Sequence, residues 1–406
     1  MIAIGGTIGI GLFLGSGKFL AVGGPASLLI AYLIVGAIVF LMMLALGEMA
    51  AFISVAGSFC TFAGRFVDDA FGFALTWNYW SNDAMSVASN LVALQIILQY
   101  WTDNFPGWAI SLIFWFVLIA ANIITVAAYG ELEYWLSSLK VIAIIIFMIL
   151  DIVANCGANT DHHYIGGENW RIPGAPFHNG IGGFASIFVT ASFAYSGTES
   201  IAITAGETKN PAKNLPRVVK NVFWRILIFY LELEDGNHLA IHSLVFKKTG
   251  AKGAGSFINA VIMTSVLSAG NHTLFAGARL LYSLAAQEHA PKVFARLNRG
   301  QVPWIAVLAT SLVSVVCFGS SYIGAGQLWS WLQNLVGASR MLCWTAIGIT
   351  SIRFRSAMDR RGKTHLLSFK NWTYPYGPWL CIVLNSMIIL VQGWTCFSPK
   401  FRPAMW

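Results

Sequence analysis

What limits this chain most is a succession of apolar runs, each about 20 residues long, separated by short basic or turn-rich stretches. About 20 residues of helix cross the ~30 Å hydrocarbon core of a bilayer, and in lipid only helices and closed barrels satisfy every backbone group. Alternation at period two is absent from the runs, which excludes a barrel. After a glycine-rich first run, the others fall at 28–53, 71–100, 108–129, 136–154, 182–205, 256–286, 304–319, 328–352 and 378–396. Only 10% of the residues are charged, against about a quarter in a soluble domain, so they cannot cover a water-facing surface. An all-α integral membrane protein of about ten spans is expected, with a lipid bilayer around it.

The net charge of +8 comes from basic residues in short runs between the apolar stretches. Nucleic acid is not the partner this suggests; the cytoplasmic-loop bias of membrane proteins is. With the start inside, the cytoplasmic loops hold Arg65; Lys140; Lys209, Lys213, Arg217, Lys220 and Arg225; Lys292, Arg296 and Arg299; and Arg353, Arg355, Arg360, Arg361, Lys363 and Lys370. One flaw remains: two crossings should separate Arg225 from Lys292, and only 256–286 is long enough. The other candidate, 222–233, covers ~18 Å and is followed at once by Glu234 and Asp235. It reads as an interfacial or re-entrant helix, or as the remnant of a seventh span whose coding sequence is largely missing. The chain also begins within its first span and ends soon after its last, so an incomplete version of a longer transporter is expected. Neither a secretory leader, nor a disulfide framework, nor a metal or other cofactor is indicated by the start or by the spacing of Cys and His.

Two of the spans are interrupted. The first seventeen residues contain Gly5, Gly6, Gly9, Gly11, Gly15 and Gly17, each costing a helix interior ~1 kcal/mol relative to alanine. Such a stretch either packs closely against another helix or unwinds to expose N–H groups and a half-helix N-terminus to an anion. The sixth span carries Phe193-Ala-Tyr-Ser-Gly-Thr-Glu-Ser200, where Gly197 breaks the helix and Ser196, Thr198, Glu199 and Ser200 are polar at membrane depth. Counting five spans per half, the first span of each half is broken, which is the best sequence pointer to a transporter site. Glu199 reads as a structural hydrogen-bonding group or, as intramembrane ionisable groups usually do, as a functional one.

The stretch Gly5-Gly-Thr-Ile-Gly-Ile-Gly-Leu-Phe-Leu-Gly-Ser-Gly17 resembles the first-span signature of the amino acid–polyamine–organocation superfamily, in particular the fungal amino-acid permeases. Gly47-Glu-Met-Ala-Ala-Phe52, Gly57-Ser-Phe59, Gly72-Phe-Ala-Leu-Thr-Trp-Asn-Tyr-Trp80, Gly206-Glu-Thr-Lys-Asn-Pro211, Ala290-Pro-Lys292 and Trp331-Leu-Gln-Asn-Leu-Val-Gly-Ala338 continue it in the family's order. The resemblance implies a leucine-transporter-like fold in one domain, 1–397. Its inverted five-span repeats would be about 1–154 and 182–352, with an extra span at 378–396. It also implies import of amino acids with protons, a site between the broken helices, and a plasma-membrane location.

An amino acid is a zwitterion, so its site needs N–H donors for the carboxylate and carbonyl acceptors for the ammonium. Unwound backbone at Thr7, Ile8, Gly9, Ile10 and Gly11 can donate, reinforced by the positive end of the second half-helix. The family's pattern places the acceptors at Phe193, Ala194, Ser196 and Gly197, with the Phe193 ring over the substrate. Ile10 stands where relatives have Thr or Ser. Lys140 reads either as a snorkelling interfacial cation opening the fifth span or, by resemblance, as the proton-linked group that replaces an ion. Glu48, at the cytoplasmic end of the second span, reads as structural or as a proton site. Asn90 stands where many fungal permeases have Glu, and Asp83 is the candidate to supply that charge. Arg340 interrupts the tenth span where relatives carry small residues, and the sequence offers no role for it. Besides a transporter, a sensor that binds without translocating and a non-functional truncated permease fit these residues. An enzyme is not indicated, since no nucleophile–base–acid set appears.

Overall fold

The computed structural model describes residues 11, 16–53, 55, 57–102, 104–124, 126–157, 162–164, 166, 170–171, 176–203 and 254–392. Among them there is no strand. The helices are α1 (Ser16–Phe52), α2 (Ser58–Phe66), α3 (Asp69–Leu98), α4 (Gly107–Ile123), α5 (Val126–Asn155), α6 (Gly180–Ala194) and α7 (Ser200–Ile203). The series continues with α8 (Ala254–Ala286), α9 (Trp304–Val313), α10 (Ser320–Ile323), α11 (Ala325–Arg360) and α12 (Tyr376–Gln392). The expected seventh span lies outside the described residues.

By length and composition, Val22–Phe52, Trp304–Ile323 and Ala325–Arg360 are suited to cross a membrane, and Gly107–Ile123, Gly182–Ala194 and Tyr376–Val391 are shorter apolar helices. α3, α5 and α8 have 30, 30 and 33 residues, enough to cross, yet carry more polar groups. Their position explains the difference. α3 packs between α8 and α11, with α2 across its start, so its Asn82, Asp83, Ser86, Ser89 and Asn90 face protein and are buried. The outer helices instead present large apolar side chains outward, as Phe116, Leu312, Leu335 and Leu390 do.

α1 bends at Gly24, whose φ of 79° is open to glycine at little cost, and Pro25 follows without an N–H to donate. The bend frees backbone groups that 176–178 take up: Ala26 N–H donates to the Pro176 carbonyl (3.1 Å), and His178 N–H donates to the Gly23 carbonyl (2.9 Å). α1 then packs along α6. α3 starts at Asp68, whose carboxylate accepts from Ala70 N–H at 3.0 Å.

Several boundaries differ from the apolar runs: α1 begins at Ser16 and not 28, α4 ends at Ile123 and not 129, and α11 continues to Arg360 and not 352. The fifth helix begins at Val126 rather than near 136, because Glu131 and Glu133 interrupt the apolar composition without stopping the helix. The 304–319 run tightens after Val313 into a 3-10 segment, Ser314–Gly319. There the Ser311 carbonyl accepts from Ser314 Oγ (2.6 Å) and from Trp115 Nε1 (2.9 Å), bonds that compete with the α-helical ladder.

Candidate functional site

The sixth run is broken where its sequence turns polar. α6 ends at Ala194, Gly197 has φ 86°, and α7 begins at Ser200. Only glycine adopts that backbone without strain. Hydroxyl groups close the gap: Thr198 Oγ1 donates to the Tyr195 carbonyl (3.2 Å) and Ser200 Oγ to the Gly197 carbonyl (2.6 Å). Ser196 N–H turns back to the Phe193 carbonyl at 3.1 Å. Two of the four carbonyls expected to receive an ammonium, those of Phe193 and Gly197, are thus engaged within the break itself. Phe193, Ala194 and Gly197 are buried and Ser196 is half-buried.

Facing this break is Gly11, itself buried and in a π-helical turn. A methyl group added to it would overlap the Ala194 Cα, so the two backbones touch directly. Thr7, Ile8, Gly9 and Ile10 lie outside the described residues.

Beyond Gly197 the break carries Glu199 into a fully buried charged cluster. Its Oε1 accepts from Tyr79 Oη (2.8 Å) and from Arg340; its Oε2 accepts from Thr198 Oγ1 (3.1 Å) and Trp344 Nε1 (3.2 Å). The Arg340 guanidinium also donates to the Tyr79 hydroxyl and, at 2.9 Å, to Asp83 Oδ1, and it lies 4.5 Å from the centre of the Tyr79 ring. Arg340 thus joins α11 to α3 and to the break. The sequence marks it as an anomaly but hides its partners, because they are more than 140 positions away. Asn90 bonds within α3, to the Ser86 carbonyl at 2.7 Å, away from this cluster.

Lys140 belongs to a second cluster. It is fully buried in the middle of α5, which corrects its placement as an interfacial cation in a cytoplasmic loop; the helix starts ten residues before the apolar run. Its Nζ donates to Ser268 Oγ of α8 (2.7 Å), and Ser268 Oγ donates to Glu133 Oε1 (2.6 Å). Glu133 and Ser268 were not anticipated, although Glu133 precedes Lys140 by seven residues, two helical turns on one face. One turn beyond Ser268, His272 contacts Ser200 Oγ through Nε2 (2.6 Å) and Tyr129 Oη through Nδ1 (3.0 Å). His272 therefore ties α8 to the break.

Glu48 stands apart. It accepts from Arg355 of α11 and from Asn371 N–H (3.1 Å), stapling the end of α1 to the stretch before α12. This point is ~36 Å along α1 from Gly24.

A helical bundle with an interrupted helix at its buried centre, and ionisable groups on the interruption, is the construction of a membrane solute transporter. The same fold is present in Mhp1, a nucleobase–cation-symport-1 family transporter solved in a closed conformation with bromovinylhydantoin. The TM-score is 0.54 at 13% identity, covering 100% of this chain and 93% of that one. The chain belongs to the amino acid permease family, whose model matches residues 1–406. A probable amino-acid permease of Schizosaccharomyces pombe is 45% identical over 432 aligned positions, covering 98% of this chain and 85% of the relative. The lysine-specific permease LysP of Escherichia coli is 39% identical over 417 positions, covering 98% and 85%. The chain is thus an integral membrane protein of a permease family, and its relatives carry solutes rather than transform them.

Proposed function

We propose that this chain imports amino acids together with protons, across the plasma membrane, through a site between its first and sixth spans. The observation that carries this reading is the contact of Gly11 with Ala194 beside the left-handed Gly197: the glycine-rich first stretch touches the break of the sixth span backbone to backbone. Backbone N–H groups of Thr7–Gly11 would hold the substrate carboxylate, and carbonyls of the 193–197 break its ammonium, with Phe193 packed over it. Opening the site requires breaking the short internal bonds of Phe193 and Gly197 or using the neighbouring carbonyls of Ala194 and Ser196.

Of the four ionisable candidates, Lys140 best suits proton coupling, since it is buried beside a Ser268 hydroxyl and a Glu133 carboxylate through which a proton can pass. Glu199 and Asp83, held by Arg340, act on the site's charge, and Glu48 acts as a cytoplasmic clasp. The two repeats would be about 1–154 and 182–352, with the extra span at 378–396. Both relatives align over more positions than the 406 residues of this chain, so they carry additional residues inside the matched stretch. In this reading those additional residues would complete the seventh span.

Uptake of labelled amino acids into transport-deficient cells tests the reading. Uptake that falls at least fivefold when a protonophore collapses the pH gradient is expected. No uptake of any amino acid, by this chain or by one with the seventh span restored, would overturn it.

A further inference from the structure

We infer that Arg340 is a specificity-determining residue: a built-in cation that fills the place its carboxylate partners offer to a positive side chain, so that the site takes amino acids with uncharged side chains. The inference rests on the transport reading above and adds the substrate class to it.

Two carboxylates, Asp83 on α3 and Glu199 at the end of the break, converge at a point fully withdrawn from solvent. Without a partner such a pair would be a strong attractor for an ammonium or guanidinium group. The partner is already in the chain. Arg340 spends Nη1 on Glu199 and Tyr79 and Nη2 on Asp83, while its Nε has no hydrogen-bond partner among the described residues. Glu199 is filled further by Tyr79, Thr198 and Trp344, which leave neither oxygen without a donor. Among the described residues, the single carboxylate oxygen of the pair with no hydrogen-bond partner is Asp83 Oδ2. An uncharged amide or hydroxyl can donate to that oxygen. A lysine or arginine side chain reaching it would lie beside the Arg340 guanidinium in a dry setting, where like charges repel strongly. Glu199 lies two residues past Gly197, on the same break as the proposed substrate carbonyls, and the inference takes the substrate side chain to point along that flank.

The test is binding to the purified full-length chain, read as displacement of bound label by leucine, glutamine, lysine and arginine. Leucine or glutamine should bind at least about tenfold more tightly than lysine or arginine. In Arg340→Met the lysine-to-leucine affinity ratio should rise at least about tenfold, close to 1.4 kcal/mol, whereas Arg340→Lys should keep the parent preference. Because Arg340→Met leaves two buried carboxylates facing each other, Asp83→Asn/Arg340→Met is measured beside it; it keeps Glu199 alone and should show the same shift. A parent chain that binds lysine as tightly as leucine, or a ratio unmoved in both variants, overturns the inference while leaving transport standing. No binding of any amino acid, by the parent or by a chain with the seventh span restored, overturns both.

Discussion

A methyl group at position 11 has nowhere to go. The added carbon of Gly11→Ala would fall on the Ala194 Cα, which is backbone and cannot swing aside. The facing segments must separate, at a cost of roughly 1–3 kcal/mol, and uptake should fall at least tenfold with a lowered Tm in detergent. Gly270→Ala is the matched comparison: its added carbon meets only the Asn90 and Leu118 side chains, at 3.4 Å, and should leave uptake within about twofold. The break at Gly197 was legible in sequence because glycine and four hydroxyl or carboxyl residues interrupt an apolar run. What fills it was not. Glu199 is saturated by side chains from α3 and α11, and such pairing across more than 100 positions leaves no local pattern. Lys140 offers a second residue-scale prediction. Lys140→Met removes a buried cation and leaves Glu133 facing Ser268 with less compensation, so stability should drop by roughly 3–5 kcal/mol. Lys140→Met/Glu133→Gln should recover at least about 1 kcal/mol of that loss, measured by thermal unfolding. A double variant no more stable than the single one would separate the two residues.

At the scale of elements, hydrophobic runs located the helices well and their ends poorly. Apolar composition marks where a helix meets lipid, whereas a helix that meets protein can carry charge without interruption. α5 shows this: the 108–129 run takes in its first four residues and two glutamates follow, so a hydropathy reading starts the helix ten residues late and misplaces the depth of Lys140. α1 shows the reverse, a helix that begins twelve residues before the 28–53 run and continues through a bend. Gly23-Gly24-Pro25 announces a bend, but the acceptor and donor that settle it come from 176–178, in a polar stretch of no regular pattern. Gly24→Ala tests the bend. The residue has φ 79°, and an added methyl would approach the Pro176 carbonyl oxygen at 2.6 Å, so both backbone strain and a backbone contact oppose it. A loss of roughly 2–3 kcal/mol is expected, visible as a lower Tm and as faster proteolysis around 176–178.

Across the whole molecule, α11 acts as the tie. Arg340 and Arg355 lie 15 residues apart on it, ~22 Å along the axis, and each reaches carboxylates on other elements. The deeper tie holds α3 and the break; the other holds the end of α1 and the approach to α12. Their surroundings differ, and so should the consequences of cutting them. Arg340 is 1% exposed and its removal strands two buried carboxylates, which costs roughly 3–5 kcal/mol. Arg355 is 12% exposed, so water can reach the place it vacates, and Glu48 keeps the Asn371 N–H as a donor. Loss there should be closer to 1–2 kcal/mol. Thermal unfolding of Arg340→Ala and Arg355→Ala in the same detergent decides the ranking. Adding Asp83→Asn should restore part of the first loss and none of the second, because Asp83 touches only the deeper tie. If Arg355→Ala proves the more damaging, the bundle is held chiefly where α1 ends beside α12, and the buried trio serves the site's charge rather than the fold's cohesion.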